Sequence, residues 1–224
     1  MAGVAESLAA VRARLAAALA EAGRPPGSAV LVAVGKEKPA ALLREAYAAG
    51  QRDFGESYAQ ELRDKARELA DLRDVRWHFI GRLQENKAKY VAPVAALVHA
   101  VGDADLAREL ARRGGGRTVR CLVQVNVGRE PQKAGVAPET TLGLCRELAA
   151  LEGIDLAGLM CIPPDGPSAR PFFRALRELR DEVGKRLGRA LPELSMGMSH
   201  DFEDAVREGA TLVRVGTLIF GERS

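Results

Sequence analysis

Apolar residues along this chain follow two periods that take turns. One recurs every three to four residues over ten or more positions, as a helix face requires; the other fills short runs of strand length. The helical period opens the chain, over residues 4 to 23, and stops at the breaker GRPPG. Eight strand-length runs follow: Ala29 to Gly35, Asp53 to Gly55, Arg76 to Gly81, Ala96 to Val101, Val119 to Val127, Asp155 to Ile162, Glu193 to Met196 and Thr211 to Gly216. Seven helical segments lie between them, with start signals such as Pro39, Asp103 before ADLARELARR, and Pro138 before ETTLGLCRELAALEG.

Strict alternation of strand and helix predicts a parallel sheet, because parallel neighbours need a crossover and a helix usually supplies it. Eight such strands can close on themselves. The expected fold is therefore α/β, a single-domain (β/α) barrel of the TIM type with an extra N-terminal helix, spanning residues 1–224. That is a small member of a class that typically runs to about 250 residues. An open doubly wound sheet is the rival fold, but no G-x-G-x-x-G follows the first run.

Composition narrows the function classes. Hydrophobic content of 47% and charged content of 28% are those of a globular protein. No apolar run approaches the ~20 residues that cross a bilayer, so no membrane span is expected and a cytoplasmic location is the simplest reading. The 33 basic and 30 acidic residues are mixed along the chain, so no nucleic-acid footprint stands out. One basic cluster with aromatic neighbours, Arg76, Trp77, Arg82, Lys87, Lys89 and Tyr90, reads as loop and helix charge. Cys121, Cys145 and Cys161 lack any CxxC spacing and read as small core residues. His78 and His99 read as satisfied core or barrel-lining residues, and no histidine pair has metal-ligand spacing.

In a barrel of this kind the active site lies where the strands end. That rule shortens the field to Lys36, Glu56, Ser57, Gly81, Asn126, Met160, Cys161, the turn from Gly197 to Ser199, and Gly216 with Thr217. The turns after the seventh and eighth strands are rich in backbone donors, and barrels commonly bind phosphate there. Ser199 reads as opening the helix HDFEDAVREG, and Gly216 and Thr217 stand between a buried strand and a terminal turn. Locally, each of these also reads as plain capping and turning. Arg214 shares a strand face with Leu212 and Gly216 by the period of two, so its guanidinium needs an acceptor inside the barrel. Two acceptors fit that position, an acidic residue on a neighbouring strand or a ligand atom. Lys36 alone reads as a solvated loop charge. Beside a phosphate grip, its amine suits a Schiff base with a phosphorylated aldehyde such as pyridoxal 5'-phosphate (PLP).

The strings LVAVGKEKP, FGESYAQEL, WHFIGRLQENK, VQVNVGREPQKAGV, GLMCIPP, LSMGMSHDFEDAVREGAT and VRVGTLIFGER occur in this order. Together, from about Ala29 to Arg223, they resemble the motifs of the pyridoxal phosphate homeostasis proteins, PLP-binding barrels similar in fold to the N-terminal domain of alanine racemase. The resemblance implies PLP as cofactor and Lys36 as the Schiff-base lysine. It also implies a phosphate held by Ser199, Gly216 and Thr217, Arg214 opposite the pyridine nitrogen, and Asn126, Met160 and Met196 lining the ring site. Gly35 stands where the family often has Ser and is expected to leave space beside Lys36; Ser57 stands where it often has Asn.

Arginine only donates hydrogen bonds, so a pyridine nitrogen facing Arg214 stays unprotonated and is a weak electron sink. Alanine racemase compensates with a second base from a C-terminal domain, and a chain ending at Ser224 is expected to leave no room for one. The expectation is a monomeric PLP carrier that takes part in vitamin B6 homeostasis, with PLP-dependent apo-enzymes as recipients, rather than an enzyme. A weak amino-acid racemase using Tyr58 or Tyr90 as second base is the alternative.

Overall fold

Eight parallel strands close into a barrel in sequence order: β1 (Val30–Val34), β2 (Asp53–Glu56), β3 (Arg76–Phe79), β4 (Leu97–Val101), β5 (Val119–Gln124), β6 (Ile154–Met160), β7 (Glu193–Ser195) and β8 (Leu212–Val215). The computed structural model describes residues 3–166 and 168–222. Closure is made by β8 against β1, in the register Val30↔Leu212 to Ala33↔Val215. Each of the eight apolar runs contributes one strand. Arg223 of the last motif lies outside the described residues.

The helices follow the same order. They are α1 (Val4–Glu21), α2 (Ala40–Ala48), α3 (Ala59–Glu68), α4 (Ala88–Val91, entered through a short 3₁₀ turn), α5 (Ala104–Arg113), α6 (Pro138–Ala149), α7 (Arg170–Leu187), α8 (Phe202–Arg207) and α9 (Thr217–Phe220). Asp103 caps α5 by accepting from the Leu106 N–H at 2.7 Å, and Pro138 occupies the first turn of α6, where its missing N–H costs nothing. Helix α1 buries Val4, Leu8, Val11, Leu15, Ala18 and Leu19, the stripe its period predicts, and packs against α2, α8 and α9.

Alternation along β8 sorts the two cores. Val213 and Val215 face outward, into the layer between barrel and helices, while Leu212 joins Val32, Leu97, Leu122, Ala157 and Met160 inside the barrel. The fifth strand ends at Gln124, three residues before the apolar run does. Val125 still donates its N–H to the Met160 carbonyl at 2.8 Å but also bridges to Val136 within its own loop, and the Asn126 N–H donates to the Val136 carbonyl at 2.8 Å. The three cysteines are buried, and burial pushes each thiol up to about 12. The basic cluster does not form one surface, because β3 carries Arg76 at one rim of the barrel and delivers Arg82 to the other. Among the described residues no helix is long and apolar enough to cross a membrane.

Candidate functional site

At the C-terminal ends of β1, β7 and β8 a cavity of about 270 Å³ opens to solvent. Lys36, Ser199, Arg214, Gly216 and Thr217 line it, together with Val34, Ser57, Ile80, Ile162, Met198 and His200. Five of the eight residues named from the sequence are thus brought together, and the other three are not. Met196 follows inward-facing Ser195 and so faces outward, fully buried among the helices. Met160 is buried inside the barrel with Leu212. Asn126 spends its side chain on its own loop, donating to the Glu130 carbonyl at 2.8 Å and accepting from the Glu130 N–H at 3.2 Å.

The loop that carries Lys36 is held from below by a buried ionic cluster. Lys65 of α3 donates to the Gly35 carbonyl at 2.6 Å, to Glu56 Oε1 at 2.7 Å and to Glu61 Oε1 at 2.6 Å. Glu61 in turn accepts from the backbone N–H of Glu37, which sits at a left-handed φ of 61°. Both neighbours of Lys36 are therefore fixed to α3. Burial pushes the Glu56 carboxyl up to about 7 against the pull of Lys65, and its second oxygen, Oε2, has no partner among the described residues. A Cβ on Gly35 would lie 2.8 Å from Leu43 Cδ1 and 2.9 Å from Glu56 Oε1. The bare glycine makes room for these two groups, not for a ligand beside Lys36, which corrects the sequence expectation.

The opposite wall is built from backbone donors. Helix α8 begins at Phe202, so Ser199 does not open it but lies in the preceding turn, where the Met198 N–H donates to Asp201 Oδ1 at 2.6 Å. Gly197 has φ 89°, and a Cβ there would lie 2.5 Å from Ala205 Cβ, so only glycine lets this turn pack on α8. Among the described residues, the N–H groups of Ser199, His200, Gly216 and Thr217 donate to no hydrogen bond. With the Ser199 and Thr217 hydroxyls they form a donor-rich cradle of the kind that receives a phosphate.

Arg214 forms the floor. It is buried, with NH1 donating to Ser195 Oγ at 2.7 Å and NH2 to the Cys161 carbonyl at 3.0 Å. Neither acceptor is the acidic residue that the sequence left open as an alternative. Burial lowers the guanidinium from its ordinary value, but it remains a donor only. Two of its five N–H groups are used, which leaves donors for the cavity above. A phosphate cradle, an amine and a guanidinium around one cavity fit a phosphorylated pyridine aldehyde in donor set and charge.

The family model for the alanine racemase N-terminal domain matches residues 7–224. A pyridoxal phosphate homeostasis protein of Aquifex aeolicus is 45% identical over 223 residues, covering 97% of each chain. The chain belongs to the pyridoxal phosphate homeostasis protein family. The human member is 39% identical, over 99% of this chain and 87% of its own. The family member PipY of Synechococcus elongatus, solved with PLP bound, superposes with a TM-score of 0.86 at 40% identity, over 97% of this chain and 100% of that one.

The strand-end rule reached Lys36, Ser57, Ser199, Gly216 and Thr217, and strand alternation reached Arg214. Met198 lies inside the turn from Gly197 to Ser199 already named, while Val34, Ile80, Ile162 and His200 line the cavity without having been singled out. Each lies within two residues of a position already singled out, so extending the rule by that margin would have found them.

Proposed function

We propose that this protein binds PLP in the C-terminal cavity and holds it for buffering and delivery, with PLP-dependent apo-enzymes as recipients. On this reading the Lys36 amine bonds the aldehyde as a Schiff base, Ser199, Gly216 and Thr217 hold the phosphate, and Arg214 donates to the ring nitrogen. The observation that carries it is the meeting, at one cavity in a chain of this family, of an amine, a guanidinium and four backbone N–H groups that donate to no hydrogen bond among the described residues. PLP when bound supplies an electrophilic aldehyde on an electron-withdrawing ring.

Arg214 supports a carrier over a catalyst. A permanently protonated guanidinium leaves the ring nitrogen unprotonated and weakens the ring as an electron sink. The lining supports it too. Tyr58, half-exposed, and Tyr90, under Arg63, are not among the described residues that line the cavity, so neither stands where a second base would be needed.

Adding PLP to the purified protein is expected to produce a violet-edge absorbance that Lys36→Ala loses. An unchanged band in Lys36→Ala would overturn the assignment of the amine. Solvent deuterium entering the α-carbon of amino acids at enzyme-like rates would overturn the carrier reading.

A further inference from the structure

A line of polar side chains crosses the inside of the barrel beneath Arg214. Ser195 Oγ lies 2.7 Å from Arg214 NH1 and 2.7 Å from His99 Nδ1; His99 Nε2 lies 2.9 Å from His78 Nδ1; His78 Nε2 lies 3.0 Å from Asp53 Oδ1. All five residues are buried. Asp53 is the first residue of β2 and Arg214 is near the end of β8, so the line climbs from the N-terminal rim to the cavity floor. It also passes from one wall of the barrel to the other, between β4 and β7. At its lower end Asp53 accepts from the largely exposed Arg76, Nε at 2.7 Å and NH2 at 2.5 Å.

Donor counting gives the line one direction. Arg214 can only donate, so Ser195 Oγ accepts from it. Among the described residues the other partner of that hydroxyl is His99 Nδ1, and at the far end the Asp53 carboxylate can only accept, so the assignment that leaves no donor of the line idle turns the O–H to His99 and leaves Nδ1 bare. His99 then carries its proton on Nε2 and donates to His78 Nδ1. That nitrogen is bare in turn, so His78 carries its proton on Nε2 and donates to the Asp53 carboxylate. Every bond points away from the cavity, and both imidazoles are neutral. Independently of this counting, burial holds His99 well below the ordinary imidazole value, and the charge of Arg214 adds to it. Hydrogen bonds from His78 and Arg76 outweigh the effect of burial and hold Asp53 below the usual carboxylate range.

We infer that Ser195, His99, His78 and Asp53 are positioning residues for Arg214, a one-way hydrogen-bond chain that fixes the guanidinium and directs its remaining donors at the ligand ring. The inference rests on the reading of Arg214 as the partner of the ring nitrogen. The chain gives the guanidinium an acceptor without a counter-ion at contact distance, so the arginine keeps its charge for the cavity. It also places no imidazolium under the ring, so no acid stands there to protonate the ring nitrogen through Arg214.

The test reads the tautomers first, in ligand-free protein with ¹⁵N-labelled histidine. Two-bond ¹H–¹⁵N correlation spectra at mildly alkaline pH are expected to show His78 and His99 as neutral Nε2–H forms. An Nδ1–H form or a charged ring at either position overturns the chain, whether or not PLP binds. Ser195→Ala is expected to shift the His99 Nδ1 resonance and to weaken PLP binding in equilibrium dialysis about tenfold, the worth of one hydrogen bond to a charged group. Ser195→Thr, which keeps the hydroxyl, is expected to restore both. Wild-type affinity in folded Ser195→Ala overturns the positioning role. Wild-type protein that shows the expected tautomers but takes up no PLP overturns the functional reading instead, and with it the ligand end of the chain.

Discussion

Two buried polar clusters support the candidate site from below, and they differ in kind. Under Arg214, the line from Ser195 to Asp53 is complete: each donor meets an acceptor, and its formal charges stand only at its ends. Under Lys36, the cluster of Lys65, Glu56 and Glu61 is ionic and incomplete, with Glu56 Oε2 unpartnered among the described residues and its carboxyl pushed up to about 7. The first holds one side chain in one orientation. The second holds a loop through the Gly35 carbonyl and the Glu37 N–H, and its strength depends on whether a proton is present. On the proposed reading, a fixed partner for the ring and a proton-sensitive seat for the amine would suit a carrier that both retains PLP and releases it.

Removing the cation from the ionic cluster has the largest expected effect. Lys65→Met leaves two carboxylates without their partner, and at mildly alkaline pH it is expected to cost about 3–5 kcal/mol of stability in urea unfolding. A loss below about 1 kcal/mol would mean that the cluster is not what holds the loop.

Glu56 gives the next effect, through pH. Its carboxyl ionises near 7 in the folded protein and near 4.5 when unfolded, so between these values the folded state binds the extra proton. Its contribution is fully present below about 4.5 and is lost as pH rises through about 7, a fall on the order of 3 kcal/mol. Glu56→Gln, which keeps an acceptor for Lys65, is expected to flatten that fall in thermal unfolding between these pH values. An unchanged slope would assign the pH dependence to another group.

The chain under Arg214 should respond less. Ser195→Ala leaves a guanidinium N–H and the bare His99 nitrogen unpaired, at an expected cost of about 2 kcal/mol with little pH dependence over the same range. A steep dependence there would erase the contrast between the clusters. Smallest is Gly35→Ser. The hydroxymethyl group would press on Leu43 and Glu56, for about 1–2 kcal/mol, and double with Glu56→Gln less than additively because the two side chains share one space.

Much of the fold was legible because each strand had an apolar run and each helix a start or stop signal of its own. The ends were less so: the run to Val127 outlasts its strand because from Val125 and Asn126 onward the backbone pairs with Val136 of the same loop, a choice the apolar pattern does not carry. Lys36, Ser199, Arg214, Gly216 and Thr217 could be found from strand ends and alternation, since both rules are local. Met196, which the resemblance implies at the ring, lies on the outer face by the same alternation, which puts Ser195 inside and its neighbour outside. The line from Arg214 to Asp53 could not be read, because its members stand on β2, β3, β4, β7 and β8, and only closure of the barrel brings them within bonding distance. Gly35 is similar. Its reason lies in Leu43 and Glu56, which meet it only when α2 and β2 pack together.

On the proposed reading Lys36 is the attachment point for PLP. Protein incubated with PLP, reduced with borohydride, digested and mapped by mass spectrometry is expected to carry the pyridoxyl phosphate group on the peptide containing Lys36. Label on Lys38, Lys65 or another lysine, with Lys36 unmodified, would contradict it.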